Sequence, residues 1–233
     1  MAIVVRTWNL FHGNAVPPER RAYLRQMVEL VTKDGPGIVC LQEVPVWAMR
    51  HLEAWSGMQS FGAIAASPRG SAELGRWLTE LNHGLLRSAF TGQANATLVA
   101  RGLEAQEDGT LMISERGERR ICQRVRVPEA GIVGNFHVTG GPMADEQFGR
   151  AVDFVAAGDE RAIVAGDANL RPGEGDTYER LRSLGFSAAL PGSIDQILVR
   201  GLLSTQPVAW PEERRSVGGR LLSDHAPVEL TVG

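Results

Sequence analysis

The sequence predicts an α/β fold in one domain spanning residues 1–233. Three observations predict it. Short β-branched runs such as Ile3 to Asn9, Gly37 to Leu41 and Ala162 to Asp167 have the length and composition of strands. Between such runs, apolar residues recur at helical spacing, as in Tyr23, Leu24, Met27, Val28, Leu30 and Val31. No Pro/Gly/Ser linker or charge run divides the 233 residues, a length sufficient for one large core.

Charge and cysteine usage narrow the class. The 24 basic and 27 acidic residues nearly cancel, so the chain lacks the basic field of a protein that grips long nucleic acid by charge alone. Cys40 and Cys122 have no metal-ligand spacing, and Cys40 lies within an apolar run, which reads as a buried thiol. No basic leader precedes an apolar segment and no run of about 18 apolar residues occurs. The expectation is a soluble, cytoplasmic protein with no membrane insertion and no obligate protein partner.

Taken in order, Ile3 to Asn9 is a strand ending in an amide, and Pro18 to Thr32 is an amphipathic helix stopped at Gly35. Gly37 to Glu43 is a buried strand that runs directly into a carboxylate, which costs several kcal/mol unless solvated, paired or bound to a cation. Val46 to Trp55 reads as a second helix with Trp47, Leu52 and Trp55 inward, and Leu74, Trp77, Leu78 and Leu81 mark a third, with a loop at Ser67 to Gly70 between them. Gly84 to Gly92, which carries Arg87, reads as a surface connection, and Asn95 opens a strand to Ala100. Arg119 to Val127 alternates, placing Arg124 and Arg126 on a solvated sheet face. Gly131 to Val138 puts Asn135 and His137 on one face, because strand side chains repeat every two residues. A helix at Phe148, Val152 and Val155 leads to Ala162 to Asn169, a strand ending in Asp167 and Asn169. Asp176 to Leu184 is a short helix, Asp195 opens a strand, and Ser223-Asp224-His225 precedes the last strand, Val228 to Val232.

Polar residues thus recur at strand ends: Asn9, Glu43, Asn95, Asn135, His137, Asp167, Asn169, Asp195, Asp224 and His225. Each has an ordinary local use, such as a turn cap for Asn9. The whole set fits hydrolysis of a phosphate ester. Magnesium needs only one or two protein carboxylates and keeps waters for itself, which Glu43, Asp224 and the Asn9 amide could supply. Asp167 and a histidine suit activation of water, while His137, Asn169 and Asn95 are donors for the developing oxyanion. Asp195 is available to fix the tautomer of His225.

The succession Thr7-Trp8-Asn9, Leu41-Gln42-Glu43, Asn95-Ala96-Thr97-Leu98, Asn135-Phe136-His137, Gly166-Asp167-Ala168-Asn169, Ile194-Asp195-Gln196-Ile197 and Ser223-Asp224-His225 resembles the endonuclease/exonuclease/phosphatase superfamily, deoxyribonuclease I-like in fold. The motifs are individually short, but they stand in the family's order over residues 7 to 228. The resemblance implies a four-layer αββα sandwich of two mixed sheets, which the residue pattern alone does not separate from a doubly wound parallel sheet. It also implies that Glu43 is the principal metal ligand, with Asn9 and Asp224 nearby. By the same resemblance Asp167 orients the attacking water, Asn169 holds the scissile phosphate, His225 with Asp195 provides acid/base or charge stabilisation, and His137 is the second family histidine.

Three departures bear on substrate. Phe11 stands where the abasic-endonuclease branch has a carboxylate, Ala168 replaces an aromatic, and Ser193 and Gln196 replace Arg and Tyr. These changes, with the near-neutral charge, point away from dedicated DNA repair. Arg171 and the basic loop of Arg214, Arg215 and Arg220 are candidate phosphate contacts. The expected function is a Mg²⁺- or Mn²⁺-dependent phosphodiesterase or nuclease acting on a phosphate-ester substrate, with nucleic acid among the candidates. Two alternatives stay open: a phosphatase or phospholipase C-type enzyme on inositol phosphates or lipid head groups, and an inactive binding module on the same scaffold. The loops Ser56 to Gly92 and Leu203 to Arg220 are expected to line the cleft.

Overall fold

Two sheets stacked face to face, with helices on their outer faces, form the frame of the molecule in a computed structural model. The structure describes all residues except 20, 69, 82–90 and 188. The first sheet contains β1 (Ile3–Asn9), β3 (Ile38–Val44), β4 (Gln59–Ala66), β5 (Gln93–Val99), β11 (Val208–Ala209) and β14 (Val228–Val232), in the order β11-β14-β1-β3-β5-β4. The second contains β6 (Gln106–Met112), β7 (Ile121–Val127), β8 (Gly131–His137), β9 (Ala162–Asp167) and β10 (Asp195–Arg200), in the order β10-β9-β8-β7-β6. A small third sheet joins β12 (Ser216–Val217), β13 (Arg220–Leu222) and β2 (Ala15–Val16). Parallel β1–β3 and β8–β9 pairs sit among antiparallel ones, so both main sheets are mixed.

Alternation along the strands creates the layers. Inward positions Val5, Ile38, Cys40, Val99 and Leu230 of the first sheet meet Val125, Val133, Ile163 and Ile197 of the second in one dry core. Outward positions Trp8, Val39, Leu41, Ala96 and Leu98 receive α1 (Leu24–Thr32), which presents Leu24, Met27, Val28 and Val31 at helical spacing. On the far side, Phe136, Val164 and Leu198 receive α4 (Ala144–Ala156) and α5 (Thr177–Ser183), where Phe148 lies between Phe136 and Tyr178 with ring centroids 5.0 and 5.3 Å away. Each fully buried large apolar side chain contributes about 1.5–3 kcal/mol. The result is the four-layer αββα sandwich of mixed sheets.

Several local expectations need correction. α1 starts at Leu24 rather than Pro18. The second helix is a 3-10 turn, Val46–His51, followed by α2, Leu52–Ser56. In α3 (Ala72–Leu81), Leu74 and Trp77 face solvent, Trp77 being 55% accessible. The strand expected from Asn95 begins at Gln93. The segment between residues 56 and 92 includes edge strand β4, and β6 is the opposite edge strand of the second sheet, with a half-exposed, polar sequence that carries no alternation. Arg124 and Arg126 are not simply solvated: they pair with Asp108, and Arg126 also with Asp159, at 3.0–3.4 Å. Arg87 lies outside the described residues. Both cysteines are buried and free. Among the described residues no helix is long and apolar enough to cross a membrane.

Candidate active site

The second sheet sets three chemical groups abreast. His137 of β8 pairs in register with Asp167 of β9, which pairs with Asp195 of β10, and all three point inward at one end of the sandwich. Gly166 permits that proximity, because a Cβ there would lie 1.9 Å from the Phe136 carbonyl oxygen. Asp167 is braced from several sides. Its Oδ1 accepts the Asn169 backbone N–H at 2.8 Å, and its Oδ2 accepts the amides of Asn9 at 3.0 Å and Asn169 at 3.2 Å.

The first sheet supplies the rest. Regular alternation would turn Glu43 outward with Val39 and Leu41, but β3 is bulged: its pairing with β5 jumps from Leu41–Ala96 to Val44–Ala94, and Glu43 has φ 53°. A bulge of this kind re-aims a side chain. The Glu43 carboxylate lies 3.8 Å from His137 Nε2 and 3.5 Å from His12 Nε2. Asp224 and His225 arrive on the loop before β14. Ser223 Oγ donates to the Asn9 carbonyl at 2.7 Å, while Trp8 Nε1 and Arg215 Nη1 donate to the His225 carbonyl at 2.9 and 3.1 Å. Phe11, His12, Glu43, Asn169 and Ser223 all adopt left-handed backbone, leaving Asp34 as the one other described non-glycine residue there. Such positions cost of order 1–3 kcal/mol each and collect at functional sites.

A polar seam between the sheets fixes their alignment just beneath the site. Gln42 Nε2 donates to Asn135 Oδ1 at 2.8 Å, and Asn135 Nδ2 donates to the carbonyls of Leu41 and Ala96 at 3.2 and 3.0 Å. Asn95 Nδ2 crosses the other way to the carbonyls of Ile121 and Asn135. The residue that β5 brings to His137 is therefore Gln93, with Nε2 3.1 Å from Nδ1, whereas the Asn95 amide is used between the sheets.

Asp195 and His225 form a hydrogen-bonded pair, with Nδ1 2.9 and 3.1 Å from the two carboxylate oxygens. Burial alone would lower the His225 pKa, but the bond to Asp195 and the charges of Asp195, Asp167 and Asp224 outweigh it and push it up to about 10. Asp167 is raised to about 7, chiefly by burial and then by the facing Asp195 charge. Asp195 is raised by burial, with His225 acting in the opposite direction. The imidazole of His225 thus stands beside two facing buried carboxylates, bonded to Asp195 and 3.9 Å from Asp167.

The donor set fits a hard divalent cation. Glu43, Asp167, Asp195 and Asp224 gather at one end of the sandwich, and burial leaves the two central acids short of compensating charge. Among the described residues, Asp167, Asp195 and His225 also place ligand atoms within 4.8 Å of one another, although the Asp195–His225 contact is already a hydrogen bond. Asn9 is tied to Asp167 on one side and accepts the Phe11 N–H on the other. Asp224 is 48% accessible, its Oδ1 3.9 Å from His225 Nε2.

Arg171 is exposed and 4.0 Å from Glu174. The loop arginines have structural partners. Arg214 lies over the Trp210 ring at 3.5 Å, Arg220 pairs with Glu19 at 2.9 Å, and buried Arg215 holds the carbonyls of Leu222, Ser223 and His225. Three residues near the chemistry escaped the sequence reading: His12, Gln93 and Arg120, whose Nη1 is 2.9 Å from His137 Nδ1. His12 is three residues beyond Asn9 on a turn, and Arg120 precedes its strand. Neither position carries a strand-end signal.

The Endonuclease/Exonuclease/phosphatase family profile matches residues 7–225. No curated protein sequence matches the chain. Solved structures match it in fold. A functionally unknown conserved protein from Enterococcus faecalis V583 has 17% identity, a TM-score of 0.73, and 99% of each chain covered. The human Nocturnin catalytic domain with bound sulfate has 15% identity and a TM-score of 0.66, with 100% of this chain and 93% of that one covered. The mannosyl-6-phosphatase of Bacteroides thetaiotaomicron VPI-5482 has 17% identity and a TM-score of 0.64, with 99% of each covered. On the extent of that profile match, with the order of the motifs along the sandwich, the chain belongs to the endonuclease/exonuclease/phosphatase family, whose members generally hydrolyse phosphoester bonds.

Proposed function

We propose that the protein is a Mg²⁺- or Mn²⁺-dependent phosphodiesterase. The observation that carries this reading is the alignment of Asp167 between Asn9 and Asn169, with the His225–Asp195 pair beside it and Glu43 across the gap. Family enzymes commonly use divalent metals, and Glu43 and Asp224 are the residues that would hold one here. A bound ion would neutralise phosphoryl charge and act as a Lewis acid.

Asp167 accepts a proton from a water held against it. Its hydrogen bonds from Asn9 and Asn169 fix the direction of the carboxylate, and its raised pKa makes it a better base than a surface aspartate. The water oxygen forms the new bond to phosphorus as the ester P–O bond breaks, and the leaving oxygen takes a proton from solvent. His225 Nε2 lies 3.9 Å from Asp167, so its role is to stabilise phosphoryl charge as a cation. Asp195 keeps it charged and oriented. Asn169 acts through Asp167 rather than on the phosphate, because its amide hydrogens go to Asp167 at 3.2 Å and to the Val138 carbonyl at 3.0 Å.

Chelation tests the metal requirement. With EDTA, hydrolysis of bis-p-nitrophenyl phosphate is expected to fall to background, and added Mg²⁺ or Mn²⁺ should restore it. Undiminished hydrolysis in EDTA would overturn the metal-dependent reading.

A further inference from the structure

The two histidines beside Asp167 are wired with opposite polarity. His225 is backed by a carboxylate, with Nδ1 against Asp195. His137 is backed by donors: Arg120 Nη1 at 2.9 Å and Gln93 Nε2 at 3.1 Å both meet its Nδ1. A guanidinium N–H can only donate, so Nδ1 must present its lone pair and the ring hydrogen must sit on Nε2. We infer that Arg120 is a positioning residue that fixes His137 as an Nε2–H donor, directed at a phosphoryl oxygen held between Asp167 and Glu43.

The surroundings support a fixed assignment rather than a fluctuating one. His137 is 2% accessible and Arg120 6%, so water does not compete for Nδ1. The guanidinium is itself held, donating from Nη2 to Glu118 at 2.8 Å and from Nε to Thr139 at 3.3 Å, which leaves Nη1 aimed at the imidazole. Backbone anchoring adds to this, since the Arg120 N–H donates to Ser114 Oγ at 2.8 Å. On the other side of the ring, Nε2 lies 3.4 Å from Asp167 Oδ2 and 3.8 Å from Glu43 Oε1. Both are longer than a good hydrogen bond, so the donor is aimed into the gap but not committed there. A donor that itself accepts from a cation is strengthened by polarisation. With its hydrogen on Nε2, His137 offers no lone pair there, which excludes it as a base or metal nitrogen in this form. The labour divides accordingly: His225 carries charge and His137 donates.

The tautomer can be read without substrate. In ¹⁵N-labelled wild-type protein, long-range ¹H–¹⁵N spectra should show His137 with Nδ1 unprotonated and Nε2 bearing hydrogen. Arg120→Met should mix the two tautomers and lower kcat roughly 10- to 100-fold with a smaller change in KM, the range for losing a partner that orients a functional group. Arg120→Lys, whose ammonium also only donates, should restore the wild-type tautomer and most of the turnover. In a His137→Ala background, Arg120→Met should add nothing further. An Nδ1–H signal in wild type overturns the tautomer assignment, and this needs only wild-type protein. The phosphoryl half of the inference rests on the phosphoesterase reading. A correct tautomer in a protein inactive on phosphoesters would sink that reading alone, and an altered tautomer with unchanged turnover would sink the positioning role alone.

Discussion

Replacing Asp167 with asparagine is expected to lower kcat roughly 100- to 10,000-fold, the range for removing a positioned general base. The substitution keeps the shape of the side chain and one oxygen to accept from Asn9 or Asn169, so the fold should be retained. Stability should move the other way. Asp167 faces Asp195 across paired strands, both buried, and its pKa is raised to about 7. A carboxylate whose folded pKa lies above its unfolded value is stabilising below the unfolded pKa and loses that contribution as pH rises through the folded one. At pH 8 the ionised wild-type residue is therefore a liability that asparagine removes. Metal-free Asp167→Asn should melt at or above the wild-type temperature at pH 8, as measured by circular dichroism in EDTA. A large loss of turnover with a lower melting temperature would mean that the residue is structural. Unchanged turnover would remove Asp167 from the mechanism.

Substituting His225 and Asp195 is expected to expose them as one unit. His225→Ala should cost roughly 100- to 10,000-fold in kcat, because the phosphoryl charge loses its imidazolium partner. Asp195→Asn should cost somewhat less, leaving the ring in place without the charge that keeps its pKa near 10. The double variant should then be about as impaired as His225→Ala alone, since Asp195 acts only through His225. Steady-state kinetics on all three decide the matter. Multiplicative losses would show that Asp195 has an independent task, such as ligating the cation.

The parts of this site legible in sequence were those that obey strand periodicity. His137, Asp167 and Asp195 each end or open an apolar run, and regular alternation carries them inward to the same level. Motif order supplied the two-sheet architecture that alternation alone left open. Glu43, Asp224 and His225 are legible as residues through motif order, but their placement is set by irregular backbone or by pairing between distant strands. The Glu43 bulge reverses the face that periodicity assigns, and only the β3–β5 pairing reveals it. Asn95 and Gln93 lie two residues apart on the same face of β5, so choosing which reaches His137 required the position of the second sheet. Edge strand β6 is too polar and exposed to carry an apolar rhythm, and in β4 the buried positions Ala63 and Ala65 are small while the larger Ile64 between them faces solvent. The loop arginines looked like a basic patch because sequence shows charge but not the Trp210 ring, Glu19 or backbone carbonyls that engage it.

The seam of amides under the site has a further consequence. Glu43 comes from the first sheet, Asp224 and His225 from the loop leading into its β14, and His137, Asp167 and Asp195 from the second sheet, so the geometry of the candidate site depends on how two slabs are indexed to each other. Gln42 and Asn135 do the indexing in the interior, where sliding by one residue would strand several amides without partners. The spacing of the candidate site is therefore set largely in the core, with Arg215 of the outer loop holding the His225 segment in place.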